Sequence, residues 1–162
     1  MPARLSRAQR ARFLKGRHVA VLVTLAADGT AVPTPIWYLY RDGLLYFRTA
    51  PNAVKTENVR RDPRVSVCVQ DERPPYKAVI VYGTAEVRSA EDWLASELPR
   101  RYLGFLGAIG YRQTARTAIE AAGGEVDLVV RPERYASFDF GEETPWYGKL
   151  WLVMKRVLPP WL

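Results

Sequence analysis

Cysteine and histidine are almost missing from this sequence: Cys68 and His18 are single examples in 162 residues. One cysteine cannot form an intrachain disulfide, and it cannot build a cysteine-based zinc site. A metal enzyme or a Ser-His-Asp hydrolase would depend entirely on His18. That residue stands just before an apolar run, where a structural or surface role is the better interpretation. We therefore expect neither a metal site nor a hydrolase triad.

Long apolar runs are also missing. No stretch approaches the roughly 20 apolar residues that are needed to cross a bilayer. Residues 1–17 carry positive charges, but no apolar run of the signal-peptide type follows them. We therefore expect a cytoplasmic protein without a membrane span. The sequence shows no repeat, low-complexity tract or linker, and its hydrophobic content of 48% suffices for a core, so residues 1–162 are predicted to form one domain.

Acidic residues are fewer than basic ones, and the formal net charge is +7. This balance favours an anionic partner, namely nucleic acid, acidic lipid or a phosphorylated ligand, but an arginine-rich soluble surface explains it as well. Residues 145–162 have the apolar spacing of an amphipathic helix. Its tryptophans Trp146, Trp151 and Trp161 are better explained by packing on the protein than by binding nucleic acid or a membrane surface. We therefore expect no nucleic-acid partner.

Most of the sequence has the pattern of β-strands. Strands are predicted over residues 19–25, 31–40, 44–49, 65–69, 77–88, 125–131 and 135–140. The turns at Asp28-Gly29 and Asp42-Gly43 predict that the first three form a hairpin meander, and Gly83 marks a bend or bulge. Helices are predicted over 6–15, 53–61 and, with interruptions, 89–122, with Ser6, Asn52 and Ser89 as caps. Together these elements predict a mainly β fold, a six- or seven-stranded antiparallel barrel with peripheral helices.

The segment from Thr49 to Arg61 carries the clearest chemical signal. A strand ends at Thr49, and the predicted helix that follows stops before Asp62-Pro63. The first turn of a helix has unpaired N–H groups and the positive end of the helix dipole, which together attract anions. Lys55 and Asn58 are three residues apart and share a helix face. The segment thus offers hydroxyl, ammonium, amide and backbone N–H groups to one phosphate, although an ordinary surface helix explains the spacing at least as well.

The sequence around this segment resembles a known family. The stretches PIWYLYRDGLLYFRT, NAVKTENVRRDPRVSVCV and VIVYGTAEV are similar to the pyridoxamine phosphate oxidase-like flavin and deazaflavin oxidoreductases. The similarity runs over roughly Phe13 to Arg88, about half of the chain. Its most specific elements are a strand ending in Thr, a Lys six residues later, an Asn three residues after that, and an RRDPRV segment entering the next strand.

The resemblance implies a split β-barrel that binds FMN or a deazaflavin coenzyme of the 8-hydroxy-5-deazaflavin type. It assigns the phosphate to Lys55, Thr49 and Asn58 and the ring system to the strand that ends at Trp37. The residues expected to bind the cofactor are Thr34, Pro35, Ile36, Trp37, Arg48, Thr49, Lys55 and Asn58. The resemblance further implies a homodimer with the pocket at its interface, and hydride transfer between the cofactor and a small organic acceptor.

Departures from the family's pattern reduce the number of activities that we expect for this chain. Vitamin B6 oxidases place Ser-Arg before the phosphate lysine, whereas this chain has Ala53-Val54, and their C-terminal Arg-x-His signature is missing. We therefore expect an FMN- or deazaflavin-dependent reductase instead of a true pyridoxamine phosphate oxidase. No catalytic acid stands out, and the candidates to donate to a substrate are Tyr46, Tyr76, Tyr82 and Arg48. The alternative is a non-enzymatic carrier of a flavin, a deazaflavin or a haem, the last depending on His18.

Overall fold

The computed structural model describes residues 4–141 and Gly148. Its strands are β1 (Ala20–Leu25), β2 (Ala31–Ile36), β3 (Leu39–Arg41), β4 (Leu44–Thr49), β5 (Arg64–Asp71), β6 (Lys77–Ser89) and β7 (Val126–Asp139), and its helices are α1 (Arg7–Leu14), α2 (Val54–Arg61) and α3 (Asp92–Ala121). The strands form one antiparallel sheet in the order β2-β1-β5-β6-β7-β4-β3. The predicted mainly β class is confirmed. The C-terminal helix predicted over 145–162 lies outside the described residues.

The sheet has to curl, because its two edge strands are neighbours in the sequence. Only Trp37 and Tyr38 separate the end of β2 from the start of β3. Three residue steps span at most about 11 Å, whereas the edges of a flat seven-stranded sheet would be about 29 Å apart. The edges therefore approach each other without pairing, which makes the sheet the split barrel that was predicted.

This connection corrects the first part of the prediction. The strand predicted over 31–40 is interrupted at Trp37-Tyr38, and β2 and β3 lie at opposite edges of the sheet. The three-stranded meander is therefore wrong, although its two hairpins, β1 with β2 and β3 with β4, are confirmed. The buried phenol of Tyr38 explains the break, since it donates a hydrogen bond to the carbonyl of Leu14 at 2.9 Å inside the core.

Two other predicted strands, 125–131 and 135–140, are one continuous strand, β7. The Arg131-Pro132-Glu133 stretch has turn-like composition, but it pairs with β6 across the bulge that was predicted at Gly83. A β-carbon at position 83 would lie 2.1 Å from the carbonyl oxygen of Arg131. Glycine therefore allows β7 to pass close to β6 at this point and to continue through its proline.

The helix starts were predicted with mixed success. Ser6 caps α1, as expected, and the structure adds a reciprocal capping box with Gln9. Asn52 does not cap α2, whose N-cap residue is Ala53 and lacks a side-chain hydrogen bond. Ser89 is the last residue of β6, and α3 begins after Glu91. The start of α2 is thus left without the side-chain acceptor that normally satisfies its N–H groups.

The first half of α3 is anchored on the sheet. Leu94 and Leu98 pack with Leu39 of β3 in a second hydrophobic cluster beside the main core. The helix then kinks at Gly104, where φ is 73°. Beyond the kink, Phe105 and Leu106 are 63% and 80% exposed. None of the helices in the described part of the chain is long and apolar enough to cross a membrane.

Candidate functional site

The connection from β4 to α2 is held in one shape by its own side chains. The Thr56 hydroxyl donates to the carbonyl of Ala50 at 2.8 Å, and the Arg60 guanidinium donates to the carbonyl of Pro51 at 2.7 Å. Lys55 extends back over the connection and donates to the Thr49 hydroxyl at 3.3 Å. The structure therefore brings together the ammonium and hydroxyl groups that the sequence assigned to one anion.

Lys55 is a half-buried cation without an acidic partner among the described residues. Burial lowers the pKa of its ammonium from the usual value of 10.5, because the charged form loses solvation. The backbone N–H groups of Val54 and Lys55 also have no acceptor within the described chain. Unpaired N–H groups at a helix start beside an uncompensated cation fit the phosphate of a bound cofactor.

Asn58 does not take part in this site. It is only 4% exposed, its amide nitrogen donates to the Thr24 hydroxyl at 2.9 Å, and its amide oxygen accepts from Arg61 at 2.8 Å. Both ends of the amide are therefore occupied, the nitrogen by a contact that fastens α2 to β1 and the oxygen by a contact within α2. The expectation that Asn58 contacts phosphate is corrected accordingly: its role is structural.

A cavity of about 430 Å³ lies next to this junction, at the split between the sheet edges. It is within the usual size range of ligand pockets. Its walls come from the end of β2, from β4, from the residue before β7 and from α3: Pro35, Ile36, Trp37, Arg48, Ala95, Leu98, Pro99, Tyr111, Arg112, Ile119 and Glu125. Arg48 directly precedes Thr49, and Glu125 directly precedes Val126, the cross-strand partner of Thr49. The cavity and the anion site therefore lie at the same end of β4.

One wall of the cavity is an ordered aromatic surface. Trp37 stacks on Tyr102 of α3 with centroids 4.8 Å apart and an interplanar angle of 4°, and Tyr111 is tilted against it at 5.7 Å. The Tyr102 hydroxyl donates to the carbonyl of His18 at 2.6 Å and accepts from the N–H of Tyr38 at 3.1 Å. Helix α3 thus fixes the indole plane, which suits a planar ligand.

The Arg48 guanidinium is satisfied by the protein. Its Nε and Nη2 atoms donate to Asp127 at 2.8 and 3.0 Å, and Nη2 also donates to the carbonyl of Glu91 at 2.7 Å. Nη1 lies 3.6 Å from the Glu125 carboxylate. Arg48 therefore lines the cavity, as expected, but its charge is held by two acids and is not free for an anion.

The structure brings together only some of the site residues that were predicted from the sequence. Thr34 lies on β2 but is not a wall residue of the cavity, and Tyr46, Tyr76 and Tyr82 lie elsewhere. Tyr46 packs edge-on against Trp93, Tyr76 is 57% exposed, and Tyr82 lies under Arg134. Sequence reasoning missed Glu125, Asp127 and the α3 residues. The i, i+2 spacing of Glu125 and Asp127, which puts both carboxylates on one strand face, was the available signal.

His18 lies away from this cavity. It stacks on Phe13 at 4.5 Å and lines a separate cavity with Arg12 and Arg17. Burial is the main cause that lowers the pKa of its imidazole, with Arg101 acting in the same direction and Asp71 opposing it. The only histidine is therefore not positioned to ligate a group bound between β2 and α3.

Comparisons with known proteins agree with this architecture. The family model described as Pyridoxamine 5'-phosphate oxidase matches residues 6–130. A conserved hypothetical protein from Mycobacterium tuberculosis is 26% identical, with a TM-score of 0.70, over 86% of this chain and 88% of that one. An F420 reductase is 22% identical (TM-score 0.60, 77% and 94%), and a FAD-binding protein from Mesorhizobium loti is 23% identical (TM-score 0.59, 85% and 95%). The search of curated proteins found no significant match.

Proposed function

Because the chain belongs to the pyridoxamine 5'-phosphate oxidase family, we propose that it is an FMN- or deazaflavin-dependent oxidoreductase that transfers a hydride between the bound cofactor and a small organic acceptor. The observation that carries this proposal is that a half-buried Lys55, which has no acidic partner among the described residues, lies at the same end of β4 as a cavity of about 430 Å³. A phosphate fits the site at Lys55, and a planar ring fits the cavity. The names of two structural neighbours, an F420 reductase and a FAD-binding protein, support a cofactor of the flavin type.

In this proposal Lys55, Thr49 and the free N–H groups at the start of α2 hold the phosphate, while the ring lies between the end of β2 and the aromatic wall of α3. The outer edge of β2 is unpaired within the described sheet, so those backbone groups of Thr34, Pro35 and Ile36 that point away from β1 are available to the ring's polar atoms. Pro35 offers only its carbonyl, because proline has no N–H. When bound, the cofactor supplies the hydride chemistry. The protein orients the ring and excludes water from it.

A true vitamin B6 oxidase is disfavoured by the residue before Lys55. Val54 is 65% exposed at the start of α2, at the position where those oxidases have an arginine. An arginine would add a bidentate contact to the phosphate, and valine adds none. The proposed reductase needs only one cationic side chain to bind the phosphate, and Lys55 provides it.

Replacement of Lys55 by alanine tests the proposal most directly. We expect Lys55→Ala to weaken binding of FMN or of the deazaflavin coenzyme about 10- to 100-fold, because it removes one charge-assisted hydrogen bond, which is typically worth about 1.5–3 kcal/mol. Fluorescence titration of the cofactor measures the change. Lys15→Ala, which removes an exposed lysine after α1, is the matched control and leaves affinity unaltered. Equal affinities for the two variants would refute the assignment.

The pH dependence of binding gives an independent check. A phosphate stabilises the ammonium form of Lys55, so binding requires its proton. Because burial lowers the pKa of free Lys55, we expect affinity to be flat near neutral pH and to decline in the alkaline range before pH 10.5, the usual value for lysine. In Lys55→Arg the cation does not titrate in this range, so the decline should disappear. An unchanged decline in that variant would show that another group is responsible.

A non-enzymatic cofactor carrier is the second candidate. The position of His18 in a separate cavity counts against a haem at the site between β2 and α3. A flavin or deazaflavin carrier remains compatible with every contact described above. The two roles differ in turnover: the carrier binds cofactor through Lys55 but passes no electrons to quinone, nitroaromatic or enone acceptors after reduction, whereas the reductase does.

We also propose that the protein forms a homodimer, in which a second copy covers part of the site. Exposed apolar side chains at the start of α2 and on α3 support this proposal, in particular Val54, Phe105 and Leu106. Surfaces of this kind are common at protein interfaces. Sedimentation equilibrium of the full chain decides the matter, since a monomer at micromolar concentration would exclude a stable dimer.

A further inference from the structure

Two carboxylates share one guanidinium at the edge of the cavity. Arg48 faces Asp127 directly across the β4–β7 ladder, and Glu125 approaches it from the start of β7. The side chains of Arg48 and Asp127 are 7% and 3% exposed, and that of Glu125 is 26% exposed. Arg48 contacts both acids, so the acid with the poorer contacts keeps its proton more readily than the other.

The hydrogen bonds decide which acid this is. Asp127 accepts from Arg48 Nε, from Arg48 Nη2 and from the N–H of Glu91, all within 3.0 Å. Each of these contacts favours its charged form. Glu125 lies 3.6 Å from Nη1 of Arg48 and makes no side-chain hydrogen bond with the described residues. Of the two acids, Glu125, which lines the cavity, is therefore the one that takes up a proton more readily.

The charges that face Glu125 are consistent with this assignment. Burial raises the pKa of the Glu125 carboxyl and the charge of Asp127 adds to the effect, while Arg48 and, from α3, Arg112 oppose it. Arg112 lines the same cavity. Its charge would stabilise the carboxylate that is left after Glu125 gives up its proton.

We infer that Glu125 is the proton donor to the acceptor, an inference that rests on the proposed reductase function. The acceptor class is an activated double bond, C=C, C=O or C=N. The acceptor gains a hydride, with its two electrons, at one end of this bond from the reduced cofactor. The electron pair of the π bond takes the Glu125 proton at the other end. Solvent then returns a proton to the carboxylate as the reduced product leaves, so charge and atoms balance.

The first test needs neither cofactor nor substrate. In carbon-13 NMR of the cofactor-free protein, the Glu125 carboxyl is assigned as the signal missing from Glu125→Gln, and its titration is followed. We expect its midpoint above 4.5, the usual value for glutamate. Glu133, an exposed carboxyl on β7, is the control position. A midpoint at or below 4.5 would overturn the inference whatever the activity.

The second test follows turnover of the protein loaded with reduced cofactor, with cyclohexenone as the probe acceptor. Glu125→Gln should lower kcat by about 10²–10⁴-fold, the usual contribution of a general acid, and should bind oxidised cofactor as tightly as the unchanged protein. It should also lose the fall in rate that the unchanged protein shows as pH rises through the Glu125 midpoint. Glu133→Gln is the matched control and keeps the full rate. Unaltered turnover in Glu125→Gln would remove the proton-donor role.

The experiments distinguish failure of the reductase function from failure of the donor role of Glu125. If the unchanged protein binds cofactor but passes no hydride to the probe, both the reductase function and the donor role are contradicted. If it turns over and Glu125→Gln turns over equally, only the donor role is contradicted. If turnover depends on Glu125 and the carboxyl titrates above 4.5, both stand.

Discussion

Asp127→Ala is expected to destabilise the protein by about 3–5 kcal/mol, because it leaves the buried Arg48 guanidinium without its main counter-charge. The same substitution removes the acceptor for the N–H of Glu91, where α3 leaves the sheet. The loss should lie toward the lower end of this range, since Glu125 remains within 3.6 Å of Arg48. Urea unfolding, with the slope checked for two-state behaviour, measures the change.

An exposed ion pair gives the matched control for this prediction. Arg116 and Glu120 form an i, i+4 pair on α3 with side chains 80% and 65% exposed. Glu120→Ala should cost no more than about 0.5 kcal/mol, because solvent screens such pairs. If Asp127→Ala costs as little as this control, the Arg48–Asp127 contact does not hold α3 on the sheet.

In Asp127→Ala the Glu125 carboxyl should also titrate at lower pH, because Arg48 then contacts Glu125 without the competing charge of Asp127.

The parts of the fold that sequence predicted well are those whose signal is local. Asp42 and Gly43 both have positive φ in the turn between β3 and β4, and Ser6 with Gln9 forms the capping box of α1. Each of these depends on residues within a few positions of one another. The break at Trp37-Tyr38 depends instead on Tyr38 reaching the carbonyl of Leu14. The alternation of apolar and polar residues along the strand does not predict that contact.

The candidate site divides in the same way. Lys55 and Thr49 are six residues apart, so a motif in the sequence was able to place them together. Arg48 and Asp127 are 79 residues apart, and the sequence suggested Arg48 only as a free donor. Asn58 has the spacing of a phosphate contact, yet its contact with Thr24 turns it into the core. Spacing along a helix shows which residues share a face, but not what that face meets.

Gly83→Ala is expected to destabilise the protein by at least about 3 kcal/mol, at or above the upper end of the usual cost of overpacking. The added β-carbon would lie 2.1 Å from the carbonyl oxygen and 3.0 Å from the carbonyl carbon of Arg131. Both obstacles are backbone atoms, so no side-chain rotation relieves the clash. Thermal or urea unfolding should show the loss.

Gly110→Ala separates this steric effect from the general effect of replacing glycine. Gly110 lies inside α3, where a β-carbon would meet nothing within 4 Å, so alanine should stabilise the protein by about 0.5–1 kcal/mol. The two substitutions add the same methyl group and should have opposite signs. A small cost at Gly83 would mean that β7 can shift away from β6 at the bulge. Because Asp127 precedes Arg131 by four residues in the same strand, that shift would have to leave the contacts between Arg48 and Asp127 intact.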